Sequence, residues 1–350
     1  MDPAQITALR GPAPTGIEAT AIWLRAPGHH LLGWRDADYP ALLQRCPNPP
    51  LVLFVAGDPA VLWHPSVAVV GSRSSTPAGQ ANASAFATAL AESGLGVSSG
   101  MAAGIDTAAH RAALAAGGVT VAVLGTGPDV AYPHGNRGLH ARIVAEGAVV
   151  SEHPPGTGPR REHFPSRNRI LAGLTLGTLV VEAAHRSGAL ITARLAADSG
   201  RSVFAIPGSI HNPMARGCHR LIRDGALLVE TPQEVTGELA AVAQVLADAL
   251  RERLAAPTEG SGRTCTAVDK ALPHHPLPPQ TDPFRPRGTG PGGDPAHYKL
   301  LWEAVGHDPT GMDELVLRTE LTTAQVSSML LLMELEGRVA TQHGRYFRCR

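Results

Sequence analysis

Lysine is almost missing from this 350-residue chain: Lys270 and Lys299 are the only two, and the Gly-Lys-Ser/Thr of a P-loop occurs nowhere. Net charge is missing as well, with 30 basic residues against 30 acidic ones. That balance argues against a polyanion binder working through bulk charge, so any such site must be local. The four cysteines, Cys46, Cys218, Cys265 and Cys349, form no Cys-x-x-Cys pair, which suggests neither a disulfide framework nor a zinc site and fits a reducing cytoplasm. No apolar run approaches membrane-spanning length, and Met-Asp-Pro-Ala-Gln at the start lacks the basic flank and apolar core of a secretory signal. A soluble, cytoplasmic protein without membrane contact is expected. Neither a metal nor a cofactor is expected, since His134, His153, His163, His211 and His219 do not reach ligand spacing on one element.

What the chain does contain is a regular alternation. Apolar runs at 67–71, 95–99, 119–125, 148–152, 178–182, 202–207 and 227–230 read as strands buried on both faces. Between them, alanine-rich amphipathic stretches at 77–93, 105–116, 136–146, 167–174, 189–199 and 215–224 read as helices. This is the trace of a doubly wound α/β domain over 66–235. Before it, residues 1–65 are less legible, with only Asp38-Tyr39-Pro40 and the run 51–56 looking structured. After it come a helical tail and a linker over 236–295, where fifteen of the last forty positions are Pro or Gly. Helical periodicity at 296–306, 312–319 and 322–336, then a hairpin around His343-Gly344, makes 296–350 a winged-helix pattern.

The charge is unevenly placed: 152–223 holds ten arginines and four acidic residues. Gly71-Ser72-Arg73 ends the first strand of the domain and Pro77 opens the next helix, so turn amides, a helix N-terminus and Arg73 can hold an anion. Arg73 and Thr76 stand where a dinucleotide fingerprint needs glycine. Phe164-Pro165-Ser166-Arg167-Asn168-Arg169 puts an aromatic and two guanidinium groups at another helix start, as stacking plus backbone contact on a single strand requires. The competing reading buries Phe164 and pairs the arginines with residues such as Glu182. Gly188 to Thr192 opens a further helix at the same end of the sheet. An esterase-like alternative stays open: Gly96-Val97-Ser98-Ser99-Gly100 matches a nucleophile elbow, and Asp106 and His110, one helical turn apart, could pair, although that relation is local and not a triad arm.

These motifs in this order resemble the DNA-processing protein A family, DprA or Smf. The resemblance runs from Asp38-Tyr39-Pro40 through Gly71-Ser72-Arg73, Ser99-Gly100-Met101, Tyr132-Pro133, Ser151-Glu152, the 164–169 run, Val181-Glu182-Ala183 and 187–193 to Pro207-Gly208 and Gly225-Ala226. It implies an extended Rossmann-like, mostly parallel sheet and a non-enzymatic protein of natural transformation. Such a protein binds single-stranded DNA, protects it, and loads the recombinase RecA onto strands covered by single-strand-binding protein. A homodimer is implied too. Carried over by motif, the DNA and phosphate contacts would be Gly71, Ser72, Arg73, Ser99, Gly100, Arg161, Phe164, Arg167, Asn168, Arg169, Ser187, Gly188 and Thr192. The chain departs from the family at residues 1–33, where a small helical domain is usual and only weak helix signals stand here. The alternative class is a nucleotide hydrolase resembling the phosphoribohydrolases, although their Pro-Gly-Gly-x-Gly-Thr loop is missing and Gly177-Thr178 to Glu182 is its nearest equivalent.

Overall fold

The computed structural model of the chain describes residues 16–255, 295–336, 338–342 and 345–348. The Pro/Gly-rich stretch before Pro295, the first fifteen residues and His343-Gly344, where the hairpin turn is expected, lie outside the described residues. The N-terminal part runs α1 (Ile17–Leu24), β1 (His29–Gly33), α2 (Ala41–Gln44), β2 (Val52–Gly57). The alternating part follows: β3 (Ser66–Val70), α3 (Pro77–Glu92), β4 (Gly96–Ser99), α4 (Ile105–Ala115), β5 (Thr120–Leu124), α5 (Arg137–Glu146), β6 (Ala148–Ser151), α6 (His163–Leu174), β7 (Gly177–Val180), α7 (Gly188–Asp198), β8 (Ser202–Ala205), α8 (Arg216–Arg223), β9 (Leu227–Leu228) and α9 (Pro232–Ala255). The seven expected strands are therefore β3 to β9.

They form one nine-stranded sheet in the order β1-β2-β6-β5-β4-β3-β7-β8-β9. β3 to β9 pair in parallel, while β2 runs antiparallel to β6 with Val55 opposite Val150, and β1 antiparallel to β2 with Leu32 opposite Leu53. The boundary expected at 65/66 is thus corrected, because residues 29–57 complete the same sheet; an antiparallel edge on a parallel sheet is common and needs no crossover helix. Successive side chains of a strand alternate faces, and β3 shows the result: Val67 and Val69 pack with Phe86, Leu90 and Ile105 on one side, Ala68 and Val70 with Ile170 and Leu171 on the other. Each fully buried Val or Leu contributes roughly 1.5–3 kcal/mol to these two layers.

The C-terminal unit contains α10 (Pro295–Ala304), β10 (Thr310–Gly311), α11 (Met312–Thr319), α12 (Thr323–Leu335), β11 (Val339–Gln342) and β12 (Arg345–Arg348). Thr322 and Gln325 close a capping box at the start of α12, and a core of Leu301, Val305, Leu315, Val326 and Met333 holds the three helices together. Its strands order as β10-β12-β11, completing the expected winged-helix architecture.

Candidate functional site

The connection leaving β3 leads to β4 on one side, while β7 enters the sheet on the other side of β3, so the strand order reverses there. Doubly wound sheets open a crevice at such a point, beyond the C-terminal ends of the strands. Here it measures about 650 Å³ and is walled by Gly71 to Ser74 after β3, Tyr132 after β5, Arg161 and Phe164 around the start of α6, and Arg186 to Ala189, Ile191 and Thr192 at the start of α7.

The 71–76 turn is held from several sides. Ser74 donates its amide to Ser72 Oγ (3.1 Å), and Thr76 caps α3 by accepting from the Gly79 amide (3.0 Å) ahead of Pro77, whose fixed φ suits a first helical turn. The Thr76 amide and hydroxyl both donate to Glu182, at 2.9 and 2.6 Å. Glu182 is buried and accepts from Asn212 as well (3.4 Å); burial is the main force on its carboxyl and pushes it above the usual range. No arginine pairs with it among the described residues, so the reading that pairs the arginines within the molecule holds for Arg169, on Glu152, but not on Glu182. Opposite the turn stands Gly104, whose φ of +81° and tight approach to the Ser72 carbonyl exclude a side chain.

Of the residues named in advance, Gly71, Ser72, Arg73, Arg161, Phe164, Arg167, Asn168, Ser187, Gly188 and Thr192 do line this crevice. Ser99, Gly100 and Arg169 do not. Ser99 is fully buried and donates to Val69 O (2.6 Å), while the Gly100 amide donates to Asp106 (3.2 Å) beneath the surface. Arg169 turns away into an ion pair with Glu152, which also accepts from Ser166 (3.0 Å). Arg167 forms floor rather than rim: only 5% exposed, it donates to the Val123 carbonyl and lies so close under Gly100 that a Cβ there would collide with its guanidinium. Ser187 caps α7 by accepting from Ala189 (3.3 Å), and Asn168 reaches the Gly188 carbonyl at 3.5 Å. α6 starts at His163, four residues ahead of the expected 167, with Pro165 in its first turn where the ring costs no hydrogen bond.

A polar cluster lies under this floor. Asp106 accepts from the amides of Gly100 and Ala102, both at 3.2 Å; burial pushes its carboxyl up, against the pull of Arg167 and those amides. His110 does not pair with it. Thr120 Oγ1 spends its proton on Val97 O (2.7 Å), so it accepts from His110 Nδ1–H (2.7 Å), and Nε2 is buried without a partner. Burial, then Arg167, lowers this imidazole to about 3. Ser98, the serine of the elbow reading, is 1% exposed and bonded to Ser66 Oγ (3.2 Å), so no substrate reaches it.

At the rim, Arg73, Arg161 and Arg186 are exposed and in no ion pair among the described residues. The Arg73 guanidinium lies over the Phe164 ring, 5.4 Å from its centroid. The Tyr132 ring approaches Phe164 from β5 at 5.4 Å. The site therefore offers positive charge, a floor of neutralised or buried polar groups, and aromatic surface. Tyr132, and Met214, which takes the Ser72 hydroxyl (3.4 Å) from 142 residues away, also line the crevice, and neither carries a local signal in the sequence.

The model of the family described as DNA recombination-mediator protein A matches residues 30–240, and that of the DprA winged helix domain matches 285–345. Protein Smf of Escherichia coli is 37% identical over 95% of this chain and 81% of its own length. DNA processing protein A of Streptococcus pneumoniae superposes with a TM-score of 0.59 at 46% identity, covering 61% of this chain and 75% of that one. DNA processing protein A of Helicobacter pylori, whose structure concerns its single-stranded DNA binding mode, superposes with a TM-score of 0.55 at 26% identity, covering 61% and 96%.

Proposed function

The chain belongs to the DNA recombination-mediator protein A family, and from that premise we propose that the crevice beside β3 holds single-stranded DNA without cleaving it. The observation that carries the reading is three arginines, in no ion pair among the described residues, around a pair of aromatic rings that line the crevice at the switch point of the sheet. Arginine supplies sequence-blind phosphate contact, and rings inside a crevice reach bases only when those bases are not stacked in a duplex. The serine best placed for nucleophilic chemistry is sealed in the sheet, and Glu182, nearest to the catalytic glutamate of the hydrolase alternative, is engaged as a clamp on the 71–76 turn.

In this reading the protein is a cytoplasmic mediator of natural transformation. It protects an incoming strand and loads the RecA recombinase where single-strand-binding protein would otherwise cover it. DNA binding resides in the sheet domain, and the molecule works as a homodimer. Support for self-association comes from β9, a two-residue edge strand whose Leu227 and Leu228 are exposed. Mobility shifts of the purified full chain with single- and double-stranded oligonucleotides, with the mass of the complex measured alongside, test the reading. A clear preference for the single strand and a complex containing two chains are expected; equal affinity for the duplex sinks it.

A further inference from the structure

We propose that Tyr132 is a second base-stacking residue of the crevice, a proposal that rests on the strand-binding reading above. Tyr132 is 36% exposed, and its ring faces the same opening as Phe164 instead of entering the core. The two rings stand 5.4 Å apart with their planes 38° from one another, a wedge that leaves aromatic surface open toward the crevice. Arg73 already lies against Phe164, so Tyr132 offers the less covered ring. The segment that carries it is fixed at both ends. Thr126 Oγ1 donates to Val130 O (2.7 Å), and beyond Pro133 the Asn136 side chain donates to Met101 O (2.9 Å) and Thr107 Oγ1 (2.8 Å). A tyrosine on a rigid support loses little freedom on binding, the economy that makes such rings good contact surfaces.

The work is divided by side-chain chemistry and not by position, since Arg73 already lies over Phe164. Arg73 and Arg161 meet phosphates, Phe164 and Tyr132 meet bases, and the ligand class is a strand that carries bases rather than any polyanion. Since every base has a π-face, the contact is tolerant of sequence. The hydroxyl is not needed for it.

Fluorescence anisotropy of the full chain with labelled oligothymidylate, and with a strand of abasic residues of the same length, tests this. Tyr132→Leu and Tyr132→Ala are expected to weaken oligothymidylate binding about tenfold, and Tyr132→Phe to leave it unchanged. All four proteins should bind the abasic strand alike. Tyr132→Leu should also keep its effect in a Phe164→Ala background, which a residue that only props Phe164 would not do. Unchanged oligothymidylate affinity in Tyr132→Leu, an equal loss on the abasic strand, or disappearance of the effect beside Phe164→Ala overturns the proposal. Arg73→Ala separates the two failures: if it weakens binding while Tyr132→Leu does not, only Tyr132 is misassigned, whereas if neither matters the strand lies elsewhere.

Discussion

Arg73→Ala is expected to weaken single-stranded DNA binding roughly tenfold or more, equally for every sequence, and to lower the slope of log affinity against log salt by about 0.7. Arg73 sits on a turn whose backbone is clamped by Glu182 through Thr76 and by the close approach of Gly104, so its guanidinium starts from a fixed base. It has no acidic partner among the described residues, so a phosphate would meet an uncompensated charge. A charge-assisted hydrogen bond of this kind is worth about 1.5–3 kcal/mol, which sets the magnitude. Arg161 also lines the crevice and is exposed, and Arg161→Ala should act in the same way. Arg169→Ala is the internal control: its charge is already spent on Glu152, and its loss should leave affinity and salt slope almost untouched. Titrations at several salt concentrations read all three. A salt slope unchanged in both Arg73→Ala and Arg161→Ala would remove the phosphate site from this crevice.

The second large effect concerns stability in acid. His110 is held neutral at about 3 in the folded chain, against about 6.5 for an exposed imidazole, because burial and then the nearby Arg167 oppose its charge. Its folded value is depressed, so between pH 6.5 and pH 3 the unfolded chain binds a proton that the folded one refuses. The His110 contribution to unfolding free energy should therefore fall by about 1.4 kcal/mol per pH unit as pH is lowered through that window, against the opposite contribution of the raised carboxyls of Asp106 and Glu182. The sign is set by burial and Arg167, which outweigh the Ser99 backbone, the one neighbour that favours the charged ring. His110→Gln should be less stable at neutral pH yet show a shallower acid slope, by one proton, in urea melts across this range. Parallel slopes for the two proteins would show that His110 takes up its proton inside the fold.

Strand and helix order in the alternating region was legible because parallel strands buried on both faces leave uninterrupted apolar runs. β3, with Val67, Val69, Ala68 and Val70 shared between two cores, is the clearest case. Residues 29–57 were harder: β1 carries two histidines and a glycine, and its place is decided by pairing with β2 across the sheet rather than by its own pattern. In the crevice, the turn residues at strand ends gather as their positions on the sheet dictate, since turns that follow parallel strands open toward the same end. The misplacements involve direction. Ser99, Gly100 and Arg169 sit within three residues of lining positions, but the Ser99 hydroxyl and the Gly100 amide are spent beneath the surface, and a helical turn of 100° per residue aims Arg169 at Glu152. Tyr132 and Met214 reach the crevice through tertiary packing alone, which no local pattern reports.

Photocrosslinking tests the central claim most directly. A single strand carrying iodouracil, irradiated on the full-length protein and mapped by mass spectrometry, should attach to Phe164 or Tyr132. Attachment confined to the winged-helix unit, at Trp302 or Tyr346, with none at the crevice, would contradict it.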